Sequence, residues 1–278
     1  MIFTKVRIDG LGNGYVDLPI VGALPSDPYI LLGIDGLGPT EVDVSVTNTL
    51  YQGGIFQGRR PQLREVGIRI GLNPDYAGGV TVESLREAIY RIFAGSSDMS
   101  DTEKVVLQIR NGAYEIARTP VYLKRLDPAL FSKDPEVILT MATKSSTFEA
   151  PALVVISGGT ISIPSPSFTI QGTAATGWLF QVKFLSTVSS WKLTDVNRPG
   201  EKLQIDYAFV ANDILTFDST PGARKITVTR GGVETNIIFA LSADSVWRLL
   251  YPSTNNFTAN TSSYQWLSVT YRPQFLGV

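Results

Sequence analysis

Neither cysteine nor histidine occurs anywhere in this sequence. Their absence removes Cys/His zinc sites, Ser-His-Asp and Cys-His nucleophile systems, a histidine general base and any disulfide framework. Catalysis, if present, would have to rest on carboxylates, lysine, tyrosine or an oxygen-ligated metal. Charge is also scarce. Asp, Glu, Lys and Arg make up 18 % of the chain, and 24 basic residues against 25 acidic ones leave a net charge of −1. With no basic excess to release counterions from a nucleic-acid backbone, no sequence-specific nucleic-acid partner is expected. No run approaches the roughly 20 apolar residues that a membrane helix needs, so no membrane insertion is expected either. The opening stretch MIFTKVRIDG carries Lys5 and Arg7 and no apolar core of signal-peptide length, which leads to an expectation of folding in a cytoplasm.

What the sequence does have is turns and alternation. It has 25 Gly and 16 Pro without a fixed period, among 44 % hydrophobic residues, the composition of a folded, turn-rich protein. The segments Ile2–Ile8, Tyr15–Val21, Tyr29–Ile34, Glu41–Val46 and Arg64–Ile70 alternate and are bounded by turn residues, so each reads as a strand. In the last of them Arg64, Val66, Ile68 and Ile70 share one face, the pattern of a half-buried strand. The period changes once. After Thr81, a good N-cap, Val82, Leu85, Ile89, Ile92 and Phe93 fall on one helical face, and Gly95 is placed to end the helix. Strands resume at Lys104, Tyr114–Leu126 and Glu136.

From Ala150 to Val182 no charged residue occurs, and a domain boundary is expected near Glu149, with a short connection leading directly into strands. Beyond it, strands are expected at Gly177–Leu185, from Trp191, at Lys202–Val210, from Asp213, at Lys225–Arg230, at Val233–Ala240 and from Tyr264. Gly231-Gly232 is the two-residue loop of a tight hairpin. The fold class expected is therefore mainly β in two domains: residues 1–149 as a β-sandwich with one α-helix, and residues 150–278 as a jelly-roll β-sandwich.

Four features bear on chemistry. GLGNG at Gly10–Gly14 resembles a phosphate cradle, but a strand follows it rather than a helix, so it reads as a hairpin turn. Arg59, Arg60, Arg64 and Arg69 form the one basic cluster, and with Glu65 inside it the cluster reads as a solvated or subunit-facing patch. Trp178, Trp191, Trp247 and Trp266 all lie in the second half, where they serve either as sandwich core or as sugar-stacking platforms; the core reading is preferred. Glu41 and Asp43, two apart on a strand, leave the same face at about 7 Å spacing, while a retaining glycosidase needs its carboxyls about 5–5.5 Å apart. The signature of the β-sandwich endoglucanases, acid-apolar-acid-apolar-acid, is broken here because Ser45 and Val46 stand where its last Glu would be. No catalytic, cofactor-binding or metal-binding residue is assigned, and no cofactor is expected.

In order along the chain, LLGIDGLGPTEVDVSV, GIFQGRRPQLREVGIRIGLN, ESLREAIYRIFAG and LDPALFSKDPEVILTM resemble the N-terminal belt domain of the distal tail protein family of siphophages. NDILTFDSTPGARKITVTRGGVETNI, WRLLYPSTNNF and YQWLSVTYRPQFLGV resemble that family's galectin-like C-terminal domain, with a departure at Tyr251–Asn255 where many relatives have a tighter turn. The resemblance implies a structural, non-enzymatic virion protein at the phage tail tip. Six copies would form a hub ring between the tail tube protein and the tail tip (tail-associated) protein. The galectin-like domains would project outward, sometimes to hold a receptor-binding protein. The alternative function is a carbohydrate-binding or receptor-binding adhesion module. Glu41 and Asp43 are then best read as a polar strand face at a subunit boundary or lumen.

Overall fold

The structure is a computed structural model that describes residues 3–10, 14–20, 24, 26–48, 54–74, 79–93, 105–128, 135–158 and 165–278, with backbone alone over 46–48 and 54–61. The chain divides into two compact units: Met1–Pro151 together with Phe275–Val278, and Ala152–Gln274.

In unit 1 the alternating segments become β1 (Lys5–Asp9), β2 (Tyr15–Pro19), β3 (Tyr29–Asp35), β4 (Val42–Asn48), β5 (Gly54–Pro61) and β6 (Glu65–Leu72). They are followed by α1 (Val82–Phe93), β7 (Val105–Asn111), β8 (Tyr114–Pro128), β9 (Glu136–Thr143) and β10 (Phe148–Glu149). One antiparallel sheet runs in the order β2-β1-β7-β8-β9-β6-β3. Register shifts between Leu31 and Gly33 and between Leu123 and Arg125 bend it. Its inner face is the set that alternation marked: Val66, Ile68 and Ile70 of β6 meet Val137, Leu139 and Met141 of β9 in one core. Strands β1 and β2 pair antiparallel, and where they meet the Gly10 N–H donates to the Gly14 carbonyl at 2.9 Å; residues 11–13 of GLGNG lie outside the described residues.

Helix α1 closes over this sheet. Leu85, Ile89, Ile92 and Phe93 are buried in the core and Val82 packs at its margin. Its start is a reciprocal cap: the Ser84 N–H donates to Thr81 Oγ1 at 3.2 Å, and the Thr81 N–H donates to Ser84 Oγ at 3.2 Å. Gly95, the expected terminator, lies outside the described residues.

Unit 2 is a two-sheet sandwich built from β11 (Val154–Ser157), β12 (Ser167–Ile170), β13 (Trp178–Phe184), β14 (Trp191–Asp195) and β15 (Lys202–Ile205). It continues with β16 (Ile214–Asp218), β17 (Lys225–Arg230), β18 (Val233–Asn236), β19 (Ser253–Ala259) and β20 (Tyr264–Tyr271). One sheet runs β11-β20-β13-β16-β17-β18 and the other β12-β19-β14-β15. Aromatic rings from both faces interlock between them. Trp178 of β13 stacks on Phe257 of β19 with centroids 5.6 Å apart, and Phe168 of β12 meets Trp266 of β20 edge-on at 5.1 Å.

Gly231 and Gly232 have φ of 57° and 85°, the positive values that a tight hairpin turn demands and glycine supplies at low cost. Two expected strands are shorter than alternation suggested. The strand expected over Val233–Ala240 ends at Asn236, whose Oδ1 accepts the Ile238 N–H at 3.0 Å and turns the chain into a 3-10 turn at Ile238–Ala240. The one expected over Lys202–Val210 ends at Ile205, after which the Asp206 N–H donates to the Ala240 carbonyl at 2.8 Å and leaves the ladder.

Candidate functional site

Among the described residues, strands β4 and β5 pair only with each other, from Val42↔Pro61 to Asn48↔Gly54, and form a two-stranded ribbon apart from the large sheet. An alternating segment normally hides one face. Here every described residue from Glu41 to Ser45 is exposed, including Val42 at 46 % and Val44 at 58 %. The ribbon therefore shows apolar side chains on one face of β4 and a carboxylate on the other, and among the described residues no third strand joins it. Such a ribbon is marginal in water by itself and is an open template for another chain. Edge strand β3 and the segment after the arm add exposed Leu32 and Leu63.

The root of the arm is built with more precision. The Gln62 N–H continues the ladder by donating to the Glu41 carbonyl at 3.0 Å, and Gln62 Nε2 donates to Asp43 Oδ1 at 2.7 Å. The turn IDGLGP leads from β3 into the arm. Gly36 has φ +83°, and a Cβ there would lie 1.9 Å from the Glu65 carbonyl oxygen, so no other residue fits. Beneath the turn sits Arg64, only 2 % exposed. Its Nη1 donates to the carbonyls of Gly36, at 2.6 Å, and of Gly38, while Nη2 donates to those of Ser146 at 2.9 Å and Leu276 at 2.6 Å. The guanidinium lies 4.5 Å from the ring centre of Phe148. Burial pulls the Arg64 pKa below its ordinary value. A cleft of about 440 Å³ opens at this root, lined among others by Gly38, Pro39, Glu41, Gln62 and Arg64.

The structure separates the residues that sequence reasoning had grouped. Arg64 does not belong to an exposed basic patch: one residue before β6 and in phase with that strand's inward face, it enters a nest of carbonyls, while Arg69, on the opposite face, pairs with Glu136 at 3.0 Å. The side chains of Arg59 and Arg60 lie outside what is described. Glu41 and Asp43 are exposed at the arm's base, Asp43 opposite Arg60 in register, and among the described residues no group of three acidic side chains could hold a metal ion. Trp178, Trp191 and Trp266 are core residues, and the half-buried Trp247 stacks on Phe217 at 5.4 Å. None of the three core rings can serve as a sugar platform. The carbonyl nest went unseen in the sequence because backbone acceptors leave no signature in residue identity. An arginine in phase with Val66, Ile68 and Ile70 was the available signal.

Comparison with known proteins adds an independent line. Residues 171–275 match the family described as "Siphovirus-type tail component, C-terminal domain". Among solved structures, the chain is similar to the Dit protein of phage SPP1, described as a paradigm of the hub adsorption apparatus in phages infecting Gram-positive hosts. The identity is 14 %, the TM-score 0.62, and the match covers 99 % of this chain and 100 % of that one. A chain of the phage P2 baseplate in its activated conformation with Ca matches at 8 % identity and TM-score 0.41, covering all of both chains. The same baseplate with Sr matches at 9 % and 0.38, covering 99 % of each. No curated protein matches by sequence. Residues 171–275 thus match the C-terminal domain of the siphovirus-type tail component family, and the chain as a whole shares the fold of the SPP1 Dit protein.

Proposed function

We propose that this chain is a structural hub of a siphophage tail tip, in which six copies close into a ring between the tail tube and the tip protein. The observation that carries the reading is the β4–β5 arm, a two-stranded ribbon that no third strand joins among the described residues and whose side chains from Glu41 to Ser45 are all exposed, so that it gains stability against another surface. A closed ring supplies that surface six times over, because each copy offers its arm to the next and no arm is left uncovered. Likeness to the fold of the SPP1 hub protein supports the same reading. In it, unit 1 forms the ring, unit 2 is the galectin-like domain available to a receptor-binding protein, and Glu41 and Asp43 work in assembly rather than turnover. The protein acts without a cofactor and belongs in the virion tail, after synthesis in the host cytoplasm.

Analytical ultracentrifugation and electron microscopy of the purified protein, alone and mixed with tail tube protein or tail tip protein, test the proposal. Six-fold rings are expected. A strict monomer at high concentration that forms no rings with either neighbour overturns it.

A further inference from the structure

The turn that launches the arm is held from two directions, and both holds involve the last residues of the chain. Arg64 joins the carbonyls of Gly36 and Gly38 to that of Leu276. Separately, the Val278 N–H donates to the Leu37 carbonyl at 3.1 Å. Gly277 lies between these two contacts, so close to the turn that a Cβ would fall 2.9 Å from the Leu37 oxygen and 3.0 Å from the Gly38 carbonyl carbon. Leu37, Phe275 and Val278 each pack against the core of unit 1. The tail Phe275–Val278 belongs to unit 1, although in sequence it follows all of unit 2.

We propose that the tail Leu276–Val278 is a releasable latch that sets the direction in which the β4–β5 arm leaves unit 1. With the tail seated, the Gly36–Pro39 turn is gripped by Arg64 on one side and by the backbone of Gly277 and Val278 on the other. With the tail withdrawn, Arg64 loses one of its four acceptors, the Leu37 carbonyl loses its donor, and the space above the turn opens. The arm root is then free to reorient. In the chain, Phe275 alone separates this tail from Gln274, the end of unit 2. The consequence for assembly rests on the reading of the arm as the ring contact. The latch itself does not.

Hydrogen exchange on the full chain tests the latch against two variants: deletion of Leu276–Val278, and Gly277→Val, whose side chain cannot fit against Leu37 and Gly38. Exchange is compared at matched oligomeric state, so its result is independent of ring formation, which electron microscopy of the same variants reports separately. The expected result is exchange about tenfold faster at Gln62 and along the β4–β5 ladder, with β7 and β8 unchanged. Unchanged exchange in the arm overturns the proposal. So does an equal loss of protection throughout unit 1, which would make the tail a general staple.

Discussion

The Asp213 side chain is 1 % exposed and accepts hydrogen bonds from Arg230 Nε at 2.9 Å and Nη2 at 2.6 Å, and from the Val210 N–H at 2.9 Å. The bonds from Arg230 hold its pKa below the ordinary carboxylate value, outweighing burial, which acts in the opposite direction; the Val210 bond assists. A carboxylate depressed in the folded state binds its proton more readily when unfolded. It therefore contributes stability above its unfolded pKa of about 3.9, and that contribution fades as pH falls through the folded value. Asp213→Asn is expected to lower the urea midpoint at neutral pH, and its gap from the wild type is expected to narrow steadily as the pH is taken below about 4. Urea titrations of both proteins across that range check this; a gap that stays constant with pH would rule out the ion pair as its source. Arg64 presents the contrasting case, a buried cation held by carbonyls rather than by a carboxylate, so its contribution carries no such acid dependence.

Among the elements, α1 was the most legible in the sequence. Its stripe of Leu85, Ile89, Ile92 and Phe93 is buried as the spacing requires, because helical periodicity and burial have the same physical cause. Its cap at Thr81 could also be read, although the reciprocal Ser84 bond needed coordinates. Thr81→Ala removes the Oγ1 acceptor and leaves a first-turn N–H unpaired, so unit 1 is expected to lose about 1 kcal/mol. Thermal or urea unfolding followed by a probe in unit 1 measures it, and Thr81→Ser should recover most of the loss. The strand ends at Ile205 and Asn236 were not legible, since an Asx turn and a tertiary bond from Asp206 to Ala240 stop strands that alternation alone would continue. The arm was legible as a strand and illegible as an arm. TEVDVSV alternates like a half-buried strand, but alternation records only which residues share a face, and burial depends on what that face meets. No sequence period announces that, among the described residues, β4 pairs only with β5.

At the scale of the whole molecule the exposed face of that arm decides between a monomer with an odd protrusion and one link of a ring. Val44 is 58 % exposed and the described residues around it in β4 are also exposed, so Val44→Asp removes no packing from the folded chain. Surface changes of this kind usually alter stability by no more than about 0.5 kcal/mol. In the proposed six-copy ring, the same substitution would bury a carboxylate against a neighbouring copy, and an unpaired buried charge costs several kcal/mol. Because a closed ring repeats one contact at every junction, the penalty recurs six times. The expected outcome is a Val44→Asp protein whose unfolding midpoint matches the wild type and whose rings are lost, read by denaturation and by electron microscopy on the same preparation. Rings at wild-type abundance would show that the arm faces solvent in the assembly and would move the subunit contact elsewhere on unit 1.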